Sequence, residues 1–412
     1  MAVLLIGTLD TKGTEVAYIR DQLLAAGVPV LVADVGVIGP PAFAPDISRE
    51  SIFSAAGANY EQVKAAGDRG HAIARAAAGI AQVALRLYGE GKITGILSLG
   101  GSAGTTIGTA AMRALPVGVP KLMVSTLASG PVQHYVGTRD ILMMYSVVDI
   151  AGINRISRSV FDNAAAAMAG MVQAKARRAS VEVVDRPVIA ATMFGVTTPC
   201  VETARGILEA AGYEVLVFHA TGTGGRTMEG LIRDGLIAGV LDITTTELAD
   251  ELAGGILSAG PDRLTAAGLK GIPQVVSLGA LDMVNFGPRD TVPDRYKHRR
   301  LYQHNPNVTL MRTTPQEMDR LGKEIAEKTS AARGPTCVMI PLLGVSALDA
   351  AGQPFWWPEA NAALLQSLRN WLAPHVEVVE LDYHINDPAF AQACANKLLA
   401  LLQATPGLPR PG

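Results

Sequence analysis

Short runs of β-branched and aliphatic residues alternate with longer segments of helical periodicity along most of the chain. Between the runs, residues 15–26 and 68–88 carry apolar side chains at helical spacing. The runs that have the composition of buried strands include residues 3–6, 28–33, 93–99 and 121–125. Strands that alternate with helices favour a parallel sheet with helices on both faces. We therefore predict an α/β fold built from Rossmann-like three-layer units with mostly parallel sheets.

The chain has 412 residues, too many for one core of ordinary size. It also contains three pairs of similar segments in the same order: residues 24–32 with 208–217, 95–97 with 239–241, and 118–120 with 271–273. Such segments are common connectors, but three ordered matches favour an internal duplication. We expect an N-terminal Rossmann-like domain in residues 1–184, a second in residues 185–405 with a cleft between them, and a frayed tail at 406–412.

Composition and charge exclude several classes of protein. Charged residues make up 17% of the chain, and 35 basic against 37 acidic residues leave a net charge of −2, so no basic field for nucleic acid is present. Three widely spaced cysteines indicate neither a disulfide framework nor a zinc site. No apolar run reaches the roughly 20 residues of a membrane span, and the N-terminal one is too short for a signal peptide. We expect a cytoplasmic protein without nucleic-acid or membrane partners.

The most informative turn follows the predicted strand at residues 93–99. In open parallel sheets, ligands bind beyond the carboxyl ends of the strands. Glycines at such a turn let backbone N–H groups approach an anion, and the following helix start adds its positive end. The residues that form this turn are Gly100, Gly101, Ser102, Gly104, Thr105 and Thr106. The spacing matches neither a Walker A loop nor the dinucleotide fingerprint, so phosphate binding and a plain tight turn with a threonine cap both stay open.

Other strand ends of the first domain add polar groups at the same sheet edge. Lys12 could place a point charge on a phosphate, Asp10 could take a metal or a ribose hydroxyl, and Asp34 could bind a ribose. Each could equally be a capping or turn residue. The remaining candidates at this edge are Thr11, Ser125, Thr126, Ser129 and Gly130. Together these residues predict a site for a nucleotide or sugar phosphate.

The second domain has a polar rim of its own, which indicates either a second site or a set of helix caps. Its candidates are Thr197, Thr198, Cys200, His219, Asp242, Thr245, Thr246 and Asp282. A thiolate at a helix N-terminus would be favoured, so Cys200 allows a cysteine-dependent hydrolase as one hypothesis. A structural cysteine is the favoured interpretation, since no base can be assigned beyond His219, which ends a neighbouring strand.

Several longer motifs, taken as a set, resemble the ATP-binding domain family of the tomato mosaic virus resistance protein. The motifs lie at residues 7–12, 99–105, 124–130, 146–154, 192–201, 217–222, 239–247 and 278–287. The resemblance extends through residues 384–387 and so covers nearly the whole chain. At residues 13 and 14 the first motif departs slightly from the family pattern.

The resemblance implies two Rossmann-like subdomains, a homodimer, and ATP bound with Mg²⁺ in the N-terminal subdomain, with Asp10, Thr11, Lys12 and residues 101–105 holding the nucleotide. Two hypotheses about activity follow. In the first, the protein is an enzyme that uses the nucleotide to act on a small phosphorylated or carboxylated metabolite at the cleft. In the second, it is a nucleotide-sensing interaction protein without turnover. The metal ligands and the catalytic residues are unassigned by the sequence.

Overall fold

The computed structural model describes residues 1–178, 186–408 and 410. The chain divides into two compact units, Met1–Val183 and Val184–Gly412. The predicted boundary between residues 184 and 185 lies outside the described residues, so its position stays a prediction. The same holds for the tail, since residues 409, 411 and 412 are not described.

The first unit is built on a five-stranded parallel sheet with the order β2-β1-β3-β4-β5. Its strands are β1 (Ala2–Gly7), β2 (Val30–Asp34), β3 (Ile93–Gly100), β4 (Lys121–Ser125) and β5 (Leu142–Tyr145). All six residues of β1 are buried, because the strand lies inside the sheet with helices on both faces. β1 pairs with β2 on one side and with β3 on the other, so the connections after β1 and β3 run to opposite sides of the sheet.

Two helical layers cover this sheet. The helices are α1 (Gly13–Ala25), α2 (Arg49–Ala55), α3 (Tyr60–Ala66), α4 (Arg69–Gly89), α5 (Ser102–Ala114), α6 (Gln133–Val136) and α7 (Arg155–Arg178). α2, α3, α4 and α5 bury apolar side chains on one face, and α1 and α7 on the other. The alanine-rich stretch of α7 faces the core, with Ala164, Ala165 and Met168 buried.

The second unit has a six-stranded parallel sheet with the order β14-β13-β9-β8-β6-β7. Its strands are β6 (Val188–Met193), β7 (Glu214–His219), β8 (Gly239–Thr244), β9 (Gln274–Gly279), β13 (Thr336–Pro341) and β14 (Glu377–Leu381). A small antiparallel sheet is inserted between β9 and β13, from β10 (Met283–Phe286), β11 (Leu301–Asn305) and β12 (Val308–Arg312). The prediction of two α/β units with mostly parallel sheets is therefore confirmed.

The helices of the second unit alternate with these strands. They are α8 (Thr198–Ala210), α9 (Thr223–Arg233), α10 (Glu247–Ala253), α11 (Ala266–Lys270), α12 (Pro315–Ser330), α13 (Pro358–Trp371) and α14 (Pro388–Ala404), with short 3₁₀ turns at Arg289–Thr291 and Asp294–Tyr296. α12 begins with a complete capping box between Thr314 and Glu317. Within the described residues, no helix has both the length and the apolar composition needed to cross a membrane.

The two sheets share the order of their first five strands, which supports the predicted duplication. The matched segments fall at equivalent places: before the second strand, within the third, and before the fourth. Gly95 in β3 and Gly239 in β8 also share a packing reason. A Cβ on Gly95 would lie 2.9 Å from Val172, and one on Gly239 would lie 2.9 Å from Leu402. In both units a glycine thus lets a helix pack closely on the third strand.

Candidate functional site

A cavity of about 560 Å³ opens at the carboxyl edge of the first sheet. Its walls come from the connections after β1, β2 and β3 and from the start of α4. The polar lining comprises Thr8, Asp10, Thr11, Lys12, Lys64, Asp68, Arg69, Ser102 and Asp149, with the backbone of Gly100, Gly101 and Gly104. Since β2 and β3 flank β1, the cavity lies at the topological switch point, where doubly wound sheets bind their ligands.

The turn at residues 100–104 brings the end of β3 very close to the start of α5. A Cβ on Gly100 would lie 2.8 Å from the Cα of Gly104, so only glycine fits there. Gly101 is the N-cap residue of α5, and no side chain caps this helix. The first three N–H groups of a helix lack intrahelical acceptors. Ser102, Ala103 and Gly104 hold these positions in α5, and all three line the cavity.

The turn after β1 presents a second uncapped helix. Lys12 is the N-cap residue of α1 and makes no side-chain capping bond. The backbone nitrogens of Thr11 and Lys12 both donate to the carbonyl of Thr8, at 3.1 and 2.7 Å, which closes the turn. Within the described part of the chain, the half-buried ammonium of Lys12 has no hydrogen-bond or ion-pair partner. Two positive helix ends and one lysine thus meet at one cavity, an arrangement suited to an anion.

Asp10 lies in the cavity wall, and its carboxylate holds a neighbouring loop. Its Oδ2 accepts hydrogen bonds from the backbone nitrogens of Ile38 (2.7 Å) and Gly39 (3.2 Å). The guanidinium of Arg49 lies 4.0 Å from the same oxygen, and Oδ1 is buried with no hydrogen-bond partner. Asp10 therefore shapes the wall that follows β2.

Asp34 does not line this cavity. Its Oδ1 accepts from the backbone nitrogens of Leu9 (3.0 Å) and Gly36 (2.9 Å). Its Oδ2 pairs with Arg49, whose Nε lies at 2.7 Å and whose Nη2 is also bonded to it. The carboxylate is buried and saturated, beside a smaller cavity of about 270 Å³. These contacts indicate that Asp34 forms a structural ion pair, and no ribose is needed to account for it.

The predicted hydroxyl groups are mostly used within the fold. Thr105 donates to the carbonyl of Gly101 at 2.8 Å and shares a hydrogen bond of 2.7 Å with Ser125. Thr106 donates to the carbonyl of Ser102 at 2.9 Å. The structure thus brings Asp10, Thr11, Lys12, Gly100, Gly101, Ser102 and Gly104 to one cavity. It leaves outside the lining Asp34, Thr105, Thr106, Ser125, Thr126, Ser129 and Gly130.

Sequence reasoning missed about two thirds of the lining. Lys64, Asp68 and Arg69 come from the α3–α4 connection, and an aliphatic wall is formed by Val35, Val37, Val63, Ala72, Ile73, Ala76 and Ile107. Asp149 lies within the motif at residues 146–154, but the sequence predicted no role for it. Two residues before it lies Val147, a β-branched residue at a φ of 65°, which is a rare conformation for such a side chain. Backbone strain of this kind is more frequent near functional sites.

The corresponding edge of the second unit is filled by its own side chains. Glu247, the first residue of α10, accepts hydrogen bonds from the backbone nitrogens of Gly222 (2.7 Å) and Gly225 (3.0 Å) at the start of α9. Arg263 is completely buried and binds Glu247 through Nε at 2.7 Å and Asp242 through Nη2 at 2.6 Å. Burial disfavours the charge of Arg263, but the neighbouring carboxylates outweigh it and raise its pKa well above the usual value.

The predicted threonine rim belongs to the same closed network. Thr197 and Thr244 share a hydrogen bond of 2.8 Å, and Thr245 donates to the carbonyl of Ser277 at 3.0 Å. Thr198 donates to the carbonyl of Phe194, and Thr246 is buried with its hydroxyl 3.5 Å from the carbonyl of Met283. These hydroxyls serve the fold, but not as the predicted helix caps, because neither Thr197 before α8 nor Thr246 before α10 makes a side-chain capping bond.

The remaining candidates of the second unit do not form a common site with the threonine network. His219 is exposed at the end of β7, and its ring contacts that of Phe194 edge-on at 5.8 Å. Cys200 is buried, and burial raises the pKa of its thiol to about 12, so the thiolate that a hydrolase needs is strongly disfavoured. Asp282 is buried and accepts a hydrogen bond from Ser346 at 2.7 Å.

The described residues do not form a metal site of side chains alone. Among the described residues, no group of three or more His, Cys, Asp or Glu side chains is arranged to hold a metal ion. A nucleotide-bound Mg²⁺ usually needs only one or two carboxylates in addition to phosphate oxygens and water. The exposed carboxylate of Asp149 fits that lesser requirement, and Asp10 offers one unpartnered oxygen.

Two doubly wound α/β units, with an open cavity at the switch point of the first, define a two-domain Rossmann-like protein. The N-terminal domain of the uncharacterised protein family UPF0261 matches residues 1–177, and its C-terminal domain matches residues 186–402. The chain belongs to this family.

Relatives in bacteria and a plant agree with that assignment. A UPF0261 protein of Clostridium tetani is 51% identical over 402 residues, covering 97% of this chain and 99% of that protein. One from Rhizobium meliloti is 47% identical over 393 residues, with 95% and 96% covered. The ToMV susceptible protein tm-1(GCR26) of Solanum lycopersicum is 40% identical over 428 residues, covering 97% of this chain and 55% of the longer tomato protein.

Proposed function

We propose that this protein binds ATP with Mg²⁺, or a closely related nucleotide, in the cavity of its N-terminal domain. The observation that carries the proposal is the convergence of two uncapped helix starts, at Lys12 and Gly101, on one cavity at the switch point. A phosphate chain matches such a set of backbone donors, and the lysine adds a compensating charge. The sequence resemblance to an ATP-binding domain supports ATP as the particular nucleotide.

The rest of the cavity suits the remainder of a nucleotide. Its aliphatic wall, which includes Val35 and Ile107, offers apolar contact to a base. The cavity volume of about 560 Å³ falls within the usual range for small-molecule sites. Asp149 would be the first candidate to hold the metal. When bound, ATP would supply a transferable phosphoryl or adenylyl group, and this chain would position it and screen its charge. On the same resemblance we propose a homodimer. We also propose a location in the cytoplasm, as expected from the sequence.

A calorimetric titration of ATP and Mg²⁺ into the wild type and Lys12→Gln tests the binding site. Losing one phosphate-facing charge should weaken binding by roughly 1.5–3 kcal/mol. Lys92→Gln is a matched control, because Lys92 is exposed, pairs with Glu90 at the surface and does not line the cavity. Equal affinity in the wild type and Lys12→Gln would contradict the assignment.

Two activities remain compatible with such binding: ATP-dependent action on a small phosphorylated or carboxylated metabolite, and nucleotide sensing without turnover. Incubating the protein with ATP, Mg²⁺ and a panel of metabolites, and measuring phosphate and AMP release, separates them. Release that is abolished by Lys12→Gln would identify an enzyme. Persistent binding without release across the panel would identify a sensor.

A further inference from the structure

We propose that Lys64 and Arg69 form a second anion subsite within the N-terminal cavity. It would take a phosphate or carboxylate group other than the phosphates held near Lys12. This inference rests on the proposed function for the first subsite and extends it. The ligand, or the ligand together with a co-substrate, would then carry two anionic groups separated by an uncharged part.

The cavity is lined by three cations and three carboxylates, which differ in how far they are satisfied. The carboxylates all accept backbone hydrogen bonds: Asp10 from the amides of Ile38 and Gly39, Asp68 from that of His71 (3.0 Å), and Asp149 from that of Ile150 (2.8 Å). Lys12, Lys64 and Arg69, in contrast, have no hydrogen-bond or ion-pair partner anywhere in residues 1–178 and 186–408. Among these charged side chains, the groups that lack partners are therefore mainly hydrogen-bond donors. Anionic groups of a ligand would satisfy them.

Lys64 lies on the β2 side of the cavity. Its ammonium is 5.7 Å from the centre of the Tyr60 ring, and it also lines the smaller neighbouring cavity together with Asp34 and Arg49. Asp34 ends β2, whereas residues 100–104 follow β3. Because β2 and β3 lie on opposite sides of β1, two strand spacings or about 10 Å separate these positions along the sheet edge.

Arg69 adds a second charge to the same cavity. It is the first residue of α4, a helix of 21 residues, and it is exposed. Aliphatic side chains of Val35, Val37 and Ile73 also line the cavity. A ligand with an anion at each end and an apolar or weakly polar body between them would satisfy both cationic groups at once.

The test uses the full chain and two nucleotides that differ by one phosphate. AMP and adenosine 3′,5′-bisphosphate are titrated calorimetrically into the wild type, the double variant Lys64→Gln/Arg69→Gln, and Arg75→Gln. Arg75 is a matched control because it is exposed on the same helix without lining the cavity. In a second arm, succinate is titrated into protein saturated with AMP, which tests whether the second anion belongs to a separate acid.

We expect binding in one of the two arms to depend on Lys64 and Arg69. Either the bisphosphate binds about tenfold more tightly than AMP, or succinate binds the AMP complex, and the double variant loses that gain while Arg75→Gln keeps it. Thermal unfolding of the variants verifies that these exposed substitutions leave the fold intact.

If neither probe gains affinity from Lys64 and Arg69 while AMP binding still depends on Lys12, the second subsite is overturned and the proposed function survives. If AMP, ATP and the bisphosphate all fail to bind the wild type, the proposed function fails, and this inference fails with it.

Discussion

The carboxylate of Glu247 accepts a hydrogen bond from the backbone nitrogen of Gly222 at 2.7 Å, at the start of α9. A Cβ on Gly225 would lie only 2.1 Å from the same carboxylate, which shows how closely the helix start encloses it. In the second domain a side chain thus occupies a helix end that could otherwise bind an external anion. In the first domain, neither Lys12 nor Gly101, the N-cap residues of α1 and α5, makes a side-chain capping bond within the described residues.

This asymmetry predicts one nucleotide per chain despite the duplicated architecture. The Glu247 carboxylate is held by Arg263 as well as by the amides of α9, so an ATP phosphate would have to displace a buried ion pair. Calorimetry with ATP and Mg²⁺ should therefore give a stoichiometry near one. Two equivalent sites per chain, or a site in Lys12→Gln that keeps the wild-type affinity, would contradict this view of the second domain.

Two adjacent glycines should respond differently to alanine. A Cβ on Gly100 would lie 2.8 Å from backbone atoms of Gly104, so Gly100→Ala must displace the start of α5. We expect a loss of about 1–3 kcal/mol in the free energy of unfolding, together with weaker ATP binding. A Cβ on Gly101 meets nothing closer than Thr126 Oγ1 at 3.7 Å. Gly101→Ala should therefore fold with nearly unchanged stability in urea unfolding, and equal losses in both variants would refute this account of the turn.

Much of the fold could be predicted because strand and helix patterns are local. The prediction at residues 121–125 coincides with β4, and the predicted strand at residues 93–99 lies within β3, Ile93–Gly100. The antiparallel sheet from β10, β11 and β12 was missed. Its strands have four or five residues, and β11 is largely exposed, so the sheet depends on tertiary pairing rather than on a strong local pattern.

The candidate site was predicted only where strand ends supplied it. Lys12 and the glycine turn are found because turns after parallel strands share one sheet edge. Lys64 and Arg69 lie on helices that precede β3, and no local pattern distinguishes them from solvated charges. Asp34 was overrated for a related reason: its partner Arg49 is 15 residues away, and sequence spacing does not reveal such a pair.

Asp34 should prove important for stability. Asp34→Ala would leave Arg49, which is buried, without its main counter-charge and would free the amides of Leu9 and Gly36. Breaking a buried pair from one side costs about 3–5 kcal/mol. Urea unfolding measures this loss, and Asp21→Ala is the control, since Asp21 pairs with Arg20 at the surface. If Asp34 instead bound the ribose, Asp34→Ala would lower the affinity for ATP and leave the free energy of unfolding nearly unchanged.

The protein should lose part of its stability as the pH rises towards neutrality, through Asp282. Burial, reinforced by the charge of Asp349 and opposed by Arg312, raises the pKa of Asp282 to about 7. The same carboxyl in the unfolded chain titrates near a pKa of about 3.9. The folded protein therefore binds more protons between these values, and the contribution of Asp282 to stability falls as the pH rises through that window.

The variant Asp282→Asn removes this titration while keeping the size of the side chain. Its free energy of unfolding, relative to the wild type, should rise between about pH 5 and about pH 8. Asp294→Asn is the control, because Asp294 is exposed and its pKa is lowered by a hydrogen bond from Lys297. Parallel curves for the wild type and Asp282→Asn would show that Asp282 does not titrate in this range.

The three cysteines should be unreactive in the folded protein. Cys200, Cys337 and Cys394 are all buried, and burial raises the pKa of each thiol, to about 12 for Cys200 and Cys337. A disulfide reagent should therefore label no thiol before unfolding and three thiols in denaturant. Ser129→Cys supplies a control, since Ser129 is exposed and the new thiol should react at once.

Cys200→Ala should cost about 1 kcal/mol of stability and leave any ATP-dependent activity intact. Rapid labelling of Cys200 in the native state, or loss of activity in a folded Cys200→Ala protein, would restore the hypothesis of a cysteine-dependent hydrolase.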